Sequence, residues 1–477
     1  MISLKRRPLF LSINKFFNFI NRQSSIVTHQ FSALCLLSSV FCFLWLSFVP
    51  AYAQEKTVAA SEIPFAEEEA LFWGEEEKII TATKYIKRLR EAPAIASVIT
   101  AEQIRNMGAR DLLDILKIIP GVEVVRAKDI GDGPWGVEVR GISTGNSEKV
   151  LYMIDGHRVN NLLSGSGTWP FDDMTVDNIK RVEVIRGPGS ALFGANAFVA
   201  VINVVTKNMD DIDGIEVLAG GGSFSNQHYN MLLGKKYKDL QIAANFDFFD
   251  TNGAKLDVES DRFGMSGLTD DWKNKYDAGL KLSYGHFDFN GRYMTKRTGG
   301  YLSVLNALND ETYVELTHLF TELSYKNSIG ENLNFIIKGY FDRFTLFKDQ
   351  DAFSGGINPA LPNGLRGIVE VKNRNLGSEI QVDYSLRDNN TLTAGALFED
   401  DRQYDVLGIA NSSGTLEEVP FNKEASRTIA AVYLQDVWKF LPNVEGTFGV
   451  RLDNYSDFGS TVNPRAGLVW EFYKDAN

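Results

Sequence analysis

Downstream of Lys207 one pattern recurs: short stretches of alternating apolar and polar residues, joined by connections that are alternately tight and long. In residues 241–250, Ile242, Ala244, Phe246 and Phe248 fall on one face of an extended strand and Asn245 and Asp247 on the other, because successive side chains point to opposite sides. Phe287, Phe289, Gly291 and Tyr293 likewise oppose Asp288, Asn290 and Arg292. Leu392, Ala394, Ala396 and Phe398 oppose Thr393 and Gly395, and Phe448, Val450 and Leu452 oppose Arg451 and Asp453. An apolar face and a charged face, strand after strand, is what lipid outside and a wet lumen inside require. A soluble β-sandwich also alternates, but the connections separate the two. Tight turns fall at 238–239, 285–286, 329–332, 388–390 and 441–443, with polar loops between them at 251–275, 297–317, 347–372, 400–426 and 456–462. A barrel with short turns at one rim and long loops at the other predicts this order. A sandwich has no reason to place every long loop at one end. The pattern predicts about twelve strands, from near Gly214 to near Phe472, an even number that returns the chain to its starting rim.

The bulk composition agrees. A mean hydropathy of −0.15 is not that of a helical membrane protein, while 12% aromatic residues and 41 glycines suit a strand-and-turn architecture. The net charge of −12 argues against nucleic acid as a partner. The N-terminus reads as an export signal: Lys5, Arg6 and Arg7, an uncharged apolar run over 31–49, then Pro50 and Ala51-Tyr52-Ala53 before Gln54. The run is also about long enough for an uncleaved anchor helix, but the small-x-small site favours cleavage after Ala53. Cys35 and Cys42 both lie in that run, so the exported chain has no cysteine and no disulfide or Cys–metal site. No long apolar run recurs, so any later membrane crossing is made by a closed barrel.

Between these regions lie an arm and a compact domain. Residues 54–76 are rich in Ala and Glu and read as an exposed arm. The β-prone hexamer Lys78, Ile79, Ile80, Thr81, Ala82 and Thr83 follows. From about residue 93 the pattern is mixed α/β. Thr100-Ala101-Glu102-Gln103 is a capping box, an amphipathic stripe from Ile104 to Ile119 is interrupted near Gly108, and Pro120-Gly121 ends it. Short strands are predicted over 122–125, 137–140, 150–154, 182–185 and 200–206, and Asp155-Gly156 is a hairpin-turn signal.

Five segments in this domain carry a resemblance. They are Val137-Glu138-Val139-Arg140-Gly141, Val150-Leu151-Tyr152-Met153-Ile154-Asp155-Gly156, Arg181-Val182-Glu183-Val184-Ile185-Arg186-Gly187-Pro188, Ser190-Ala191-Leu192-Phe193-Gly194-Ala195-Asn196-Ala197 and Val201-Ile202-Asn203-Val204-Val205-Thr206-Lys207. In this order and spacing they resemble the plug of TonB-dependent outer-membrane receptors, over essentially all of residues 78–207. Ala200 departs from the Gly usual there. The resemblance implies a signal peptide (1–53), a flexible arm with a TonB box (54–92), an α+β plug domain (93–210) and a partial antiparallel transmembrane β-barrel (211–477), incomplete at about 12 of roughly 22 strands. Residues 78–83 resemble the TonB box, an extended segment that adds as a strand to TonB. Read without that context, they are a first plug strand. Arg140 and Arg186 match arginines that pair with barrel carboxylates in the family, with Glu399 as the partner expected here.

The implied function is active import of a scarce chelate, of the iron-siderophore, cobalamin or haem class, across the Gram-negative outer membrane. TonB and its inner-membrane ExbB/ExbD motor supply the energy. Beyond these the expected partners are the chelate and outer-membrane lipid. The plug apices around Asp132, Trp135 and Trp169 are the expected ligand contacts, because their Gly/Trp mix places aromatic surface on loops. No enzyme, cofactor or metal site is expected. His157, His228, His286 and His318 are scattered without metal-ligand spacing, and Glu399-Asp400-Asp401 reads as a solvated charge cluster entering a loop. A passive porin is disfavoured by the plug and box. A non-functional fragment is the other alternative, since residues 463–472 resemble a mid-barrel strand and 474–477 are polar with no terminal aromatic.

Overall fold

The computed structural model describes residues 94–125, 136–142, 147–169 and 171–472, apart from 303–304, 354, 357–361, 412–416 and 420–421, together with the paired dipeptides Lys78–Ile79 and Lys87–Arg88. The expected signal peptide, most of the arm, and Asp132 and Trp135 lie outside the described residues.

The N-terminal domain is built from strands β1 (Ile95–Thr100), β2 (Val122–Val125), β3 (Gly136–Val139), β4 (Val150–Ile154), β5 (His157–Arg158), β6 (Ile179–Arg186) and β7 (Ala200–Thr206), with helices α1 (Ala101–Asn106) and α2 (Leu112–Leu116). The capping box forms as its spacing dictates: the Gln103 N–H donates to Thr100 Oγ1 at 3.3 Å and the Thr100 N–H to Gln103 Oε1 at 2.9 Å. The stripe breaks at Gly108, whose φ of 66° no helix continues. A five-stranded sheet runs in the order β1-β6-β7-β4-β5, with only β4 and β7 parallel. All five residues of β4 are buried, so its alternation serves two cores. Tyr152 and Ile154 pack with Ile104, Leu113 and Leu116 under the helices, and Leu151 and Met153 pack with Val98, Ile185 and Val201 on the other face.

After β7 a short helix, α3 (Met209–Ile212), capped by Asn208, leads into a large antiparallel sheet. Twelve strands follow one another in chain order: β8 (Gly214–Gly222), β9 (Asn226–Tyr237), β10 (Leu240–Thr251), β11 (Lys273–Tyr284), β12 (Phe287–Gly299), β13 (Tyr313–Ile329), β14 (Leu333–Phe353), β15 (Leu365–Arg387), β16 (Asn390–Asn411), β17 (Ala425–Leu441), β18 (Val444–Tyr455) and β19 (Gly459–Trp470). A thirteenth short segment, Glu417–Glu418, pairs with β16. Among the described residues β8 and β19 each pair on one side only.

Burial in this sheet is inverted relative to a water-soluble core. Val217, Phe246, Phe398, Phe448 and Leu468 are exposed, whereas Asp247, Asp277, Glu399, Arg451 and Asp453 are buried on the face turned to the N-terminal domain. That is the division read from the alternation.

Strand length departs from the expectation. β14, β15 and β16 span 21, 23 and 22 residues, where about 9–11 cross a bilayer. Most of the loops expected at 347–372 and 400–426 is therefore ladder. Polar cross-strand pairs sustain the pairing where alternation fades: Arg366 grips Asp349 through two bonds of 2.8 Å and reaches Glu311 at 3.2 Å. The run Glu399-Asp400-Asp401 lies within β16, with Glu399 and Asp401 facing inward. It is not the solvated loop cluster the sequence suggested.

Candidate functional site

The turn Asp155-Gly156 has φ of 52° and 82°, the left-handed pair a two-residue hairpin needs. Asp155 is locked by the Thr206 N–H at 2.8 Å and the Thr206 hydroxyl at 2.7 Å, and it also meets Lys281 of β11 at 2.8 Å. This rigid turn aims His157 and Arg158 at the inner face of the large sheet. His157 is buried, with Nδ1 3.1 Å from Glu322 and Nε2 2.9 Å from Asp342, and its ring stacks on Phe320 at 4.4 Å. His318 approaches the same Asp342 oxygen at 3.4 Å. Arg158 pairs with Glu399, which also accepts from the Tyr340 hydroxyl at 2.7 Å. Lys338 bridges Glu379 at 3.1 Å and Glu322 at 3.7 Å. Tyr340 fits because Gly377 lies opposite: a Cβ there would stand 2.2 Å from the phenol ring.

Burial alone pulls the His157 imidazolium down, but the carboxylates of Asp342 and Glu322 outweigh it and hold its pKa up, at about 9. A raised pKa means the charged contact is fully present below the ordinary value of 6.5 and is lost as pH rises through about 9. The thermal midpoint of the folded chain should therefore fall as pH rises from about 6.5 to about 9, and His157→Gln should remove that step. An equal fall in both proteins would show that His157 does not carry it.

Further contacts ring this centre. Lys296 binds Asp172, Lys273 binds Asp173 at 2.7 Å, and Lys275 donates to the Asp173 carbonyl at 2.7 Å. Arg451 donates to the Leu192 carbonyl at 3.2 Å, where Gly194 (φ 73°) leaves room for the guanidinium that a Cβ would meet at 2.9 Å. The Leu163 N–H donates to Asn373 at 3.1 Å. A cavity of about 460 Å³ remains between the two layers, lined by Arg158, Lys338, Glu379, Asp401, Arg427 and Arg451 among others. The seam is thus mostly charge-assisted bonds around space open to water. Water can replace such bonds one at a time, whereas separating an apolar interface costs about 25 cal/mol for each Å² exposed.

The residues singled out by sequence are distributed unevenly. Glu399 is on the seam, but its partner is Arg158 rather than Arg140 or Arg186. Arg186 is spent inside its own domain, on the Pro120 carbonyl at 2.6 Å and Ser97 Oγ at 2.8 Å, and Arg140 is exposed. Trp169 is not an exposed apex. It is buried with Val314, Leu316, Phe344 and Leu346, an apolar patch on β13 and β14 that shields the indole from water. Of the hexamer at 78–83, Lys78 and Ile79 pair with Arg88 and Lys87, and Ile80, Thr81, Ala82 and Thr83 lie outside the described residues. His157, Arg158, Asp172 and Lys296 were missed as partners. The Asp155-Gly156 turn directly before His157 was the signal available for the first two.

A small α/β domain seated by polar contacts on the polar face of a lipid-type β-sheet defines a plugged outer-membrane barrel. Residues 88–201 match the TonB-dependent receptor plug domain, and residues 219–477 match the TonB-dependent receptor-like β-barrel. The chain belongs to the TonB-dependent receptor family, whose members are outer-membrane transporters and not enzymes. It is 34% identical over 191 residues to the vitamin B12 transporter BtuB of Vibrio vulnificus, covering 39% of this chain and 30% of that protein. It is 25% identical over 420 residues to the iron-regulated outer membrane virulence protein of Vibrio cholerae, covering 83% and 57%. The ferric enterobactin receptor PfeA of Pseudomonas aeruginosa shares the fold, with a TM-score of 0.61 at 18% identity over 81% of this chain and 60% of that one. The chain thus spans less than two thirds of the length of each.

Proposed function

We propose that this chain serves TonB-energised import of a metal chelate. The observation that carries the reading is the seam: a plug held by His157, Arg158, Asp172 and Asp173 through bonds that water can replace, beside a cavity already formed. Residues 78–83 are the proposed TonB contact, and force applied there by TonB and ExbB/ExbD reaches the plug through the chain that leads into β1. The substrate class is an iron-siderophore or cobalamin, in keeping with what the relatives' names state of those proteins. Haem suits the site less, since His157 and His318 are both engaged with Asp342. Uptake of labelled ferric siderophores and of labelled cobalamin, in cells lacking their own receptors, tests this reading. Accumulation of one above the receptor-free background supports it, and accumulation of neither contradicts it.

The twelve strands are proposed as part of a larger barrel, because β8 and β19 each pair on one side only among the described residues, and open edges cannot stand in hydrocarbon. Export is proposed to proceed with cleavage between Ala53 and Gln54. N-terminal sequencing of membrane-fraction protein should begin at Gln54, and a sequence beginning at Met1 would contradict it.

A further inference from the structure

Away from the cavity, the plug and the first strands of the wall bring together three side chains that neither import nor plug docking requires. Asp177, just before β6, faces His228 near the start of β9 and Asp247 on β10, and one donor atom from each lies within 4.8 Å of the other two. His228 Nε2 is 2.7 Å from Asp247 Oδ2 and 4.0 Å from Asp177 Oδ2. We propose that Asp177, His228 and Asp247 form a divalent transition-metal site, of the kind that takes Zn²⁺, which fastens the plug to the first strands of the barrel wall.

The donor set suits such an ion. Imidazole nitrogen and carboxylate oxygen are both ligands that Zn²⁺ accepts, and three of them leave a fourth tetrahedral position for water. The carboxylates are already oriented from behind: the Thr175 hydroxyl donates to Asp177 Oδ2 at 2.9 Å, and Asn230 donates to Asp247 Oδ2 at 3.1 Å. Asp247 is fully buried, and its Oδ1 accepts no hydrogen bond. The nearest cation to that oxygen is Lys275 at 3.4 Å, an ammonium that also donates to the Asp173 carbonyl. The site therefore holds two carboxylates against one shared ammonium, an excess of negative charge that a divalent ion offsets. Asp277, across the strand pair from Asp247, is taken by Arg292 at 2.5 Å and does not compete. His228 and Asp177 are each about a quarter exposed, which gives an ion a way in. Sequence spacing could not show this, because the ligands come from the plug and from two strands.

The test is a Zn²⁺ titration of the purified full chain by calorimetry, with Co²⁺ substitution to read the coordination geometry from its visible spectrum. Saturable one-to-one binding is expected, with tetrahedral-type Co²⁺ absorption and a Zn²⁺-dependent rise in the thermal midpoint. His228→Gln keeps a donor for Asp247 but loses the imidazole, and Asp177→Asn removes only the plug's ligand. Each should weaken binding at least about tenfold, while His286→Ala, on an exposed turn, should leave it unchanged. Wild-type protein with no saturable site at micromolar Zn²⁺ would overturn the proposal. Wild-type affinity in folded Asp177→Asn would overturn it as well, since the plug would then supply no ligand. If His228→Gln fails to fold, Asp177→Asn alone decides.

Discussion

Arg158→Ala should cost about 3–5 kcal/mol of plug docking, the largest loss expected from any single truncation on the seam. The change takes from Glu399, buried on the wall, its directly bonded cation and leaves it the Tyr340 hydroxyl and the more distant charges of Arg451 and Lys338, and a poorly compensated buried charge is expensive. Glu399→Gln should cost less, because the neutral amide still accepts from Tyr340 and leaves no stranded anion. The readout is denaturant dependence of plug protection from protease in the membrane-inserted receptor. Arg158→Ala and Glu399→Gln destabilising equally would show that Glu399 is not the group left exposed to the penalty. A double-mutant cycle then isolates the pair itself.

Ile80→Pro should abolish energised uptake while leaving ligand binding at the cell surface nearly intact. Strand addition to a partner sheet depends on main-chain donors, and proline removes one and fixes φ. The effect is all-or-none in transport and close to nil in stability, the reverse of the Arg158 variant. Uptake that survives unchanged would reassign residues 78–83 to an ordinary plug strand.

These two variants probe regions that differ in how far sequence discloses them. Period-two alternation is local, so the lipid face of Phe246 and Phe248 and the inner face of Asn245 and Asp247 could be read directly, as could the capping box at Thr100 and the turn at Asp155-Gly156. Strand ends could not. Toward the loop ends of β14 and β15 the strict alternation gives way to mixed sequence, and the ladder continues on pairs such as Arg366 with Asp349 that carry no hydrophobic signature. The seam was less legible still. Arg158 and Glu399 are 241 residues apart, and His157 and Glu322 are 165 apart. Many inward carboxylates were equally available to each cation, and only the register of the sheet selects among them. Arg186 was a reasonable choice by type, but β6 turns it toward Ser97 and Pro120 within its own domain. Trp169 looked like an exposed apex because nothing local shows that Val314, Leu316, Phe344 and Leu346 form an apolar patch opposite it.

If TonB moves the polar-docked plug to admit a chelate, as proposed, uptake must differ between cells with and without TonB. Cells carrying this receptor as their sole route should accumulate the labelled chelate only when TonB is present, with surface binding equal in both strains. Equal accumulation in the two strains would contradict the account, since the chelate would then be crossing without any pull on the plug.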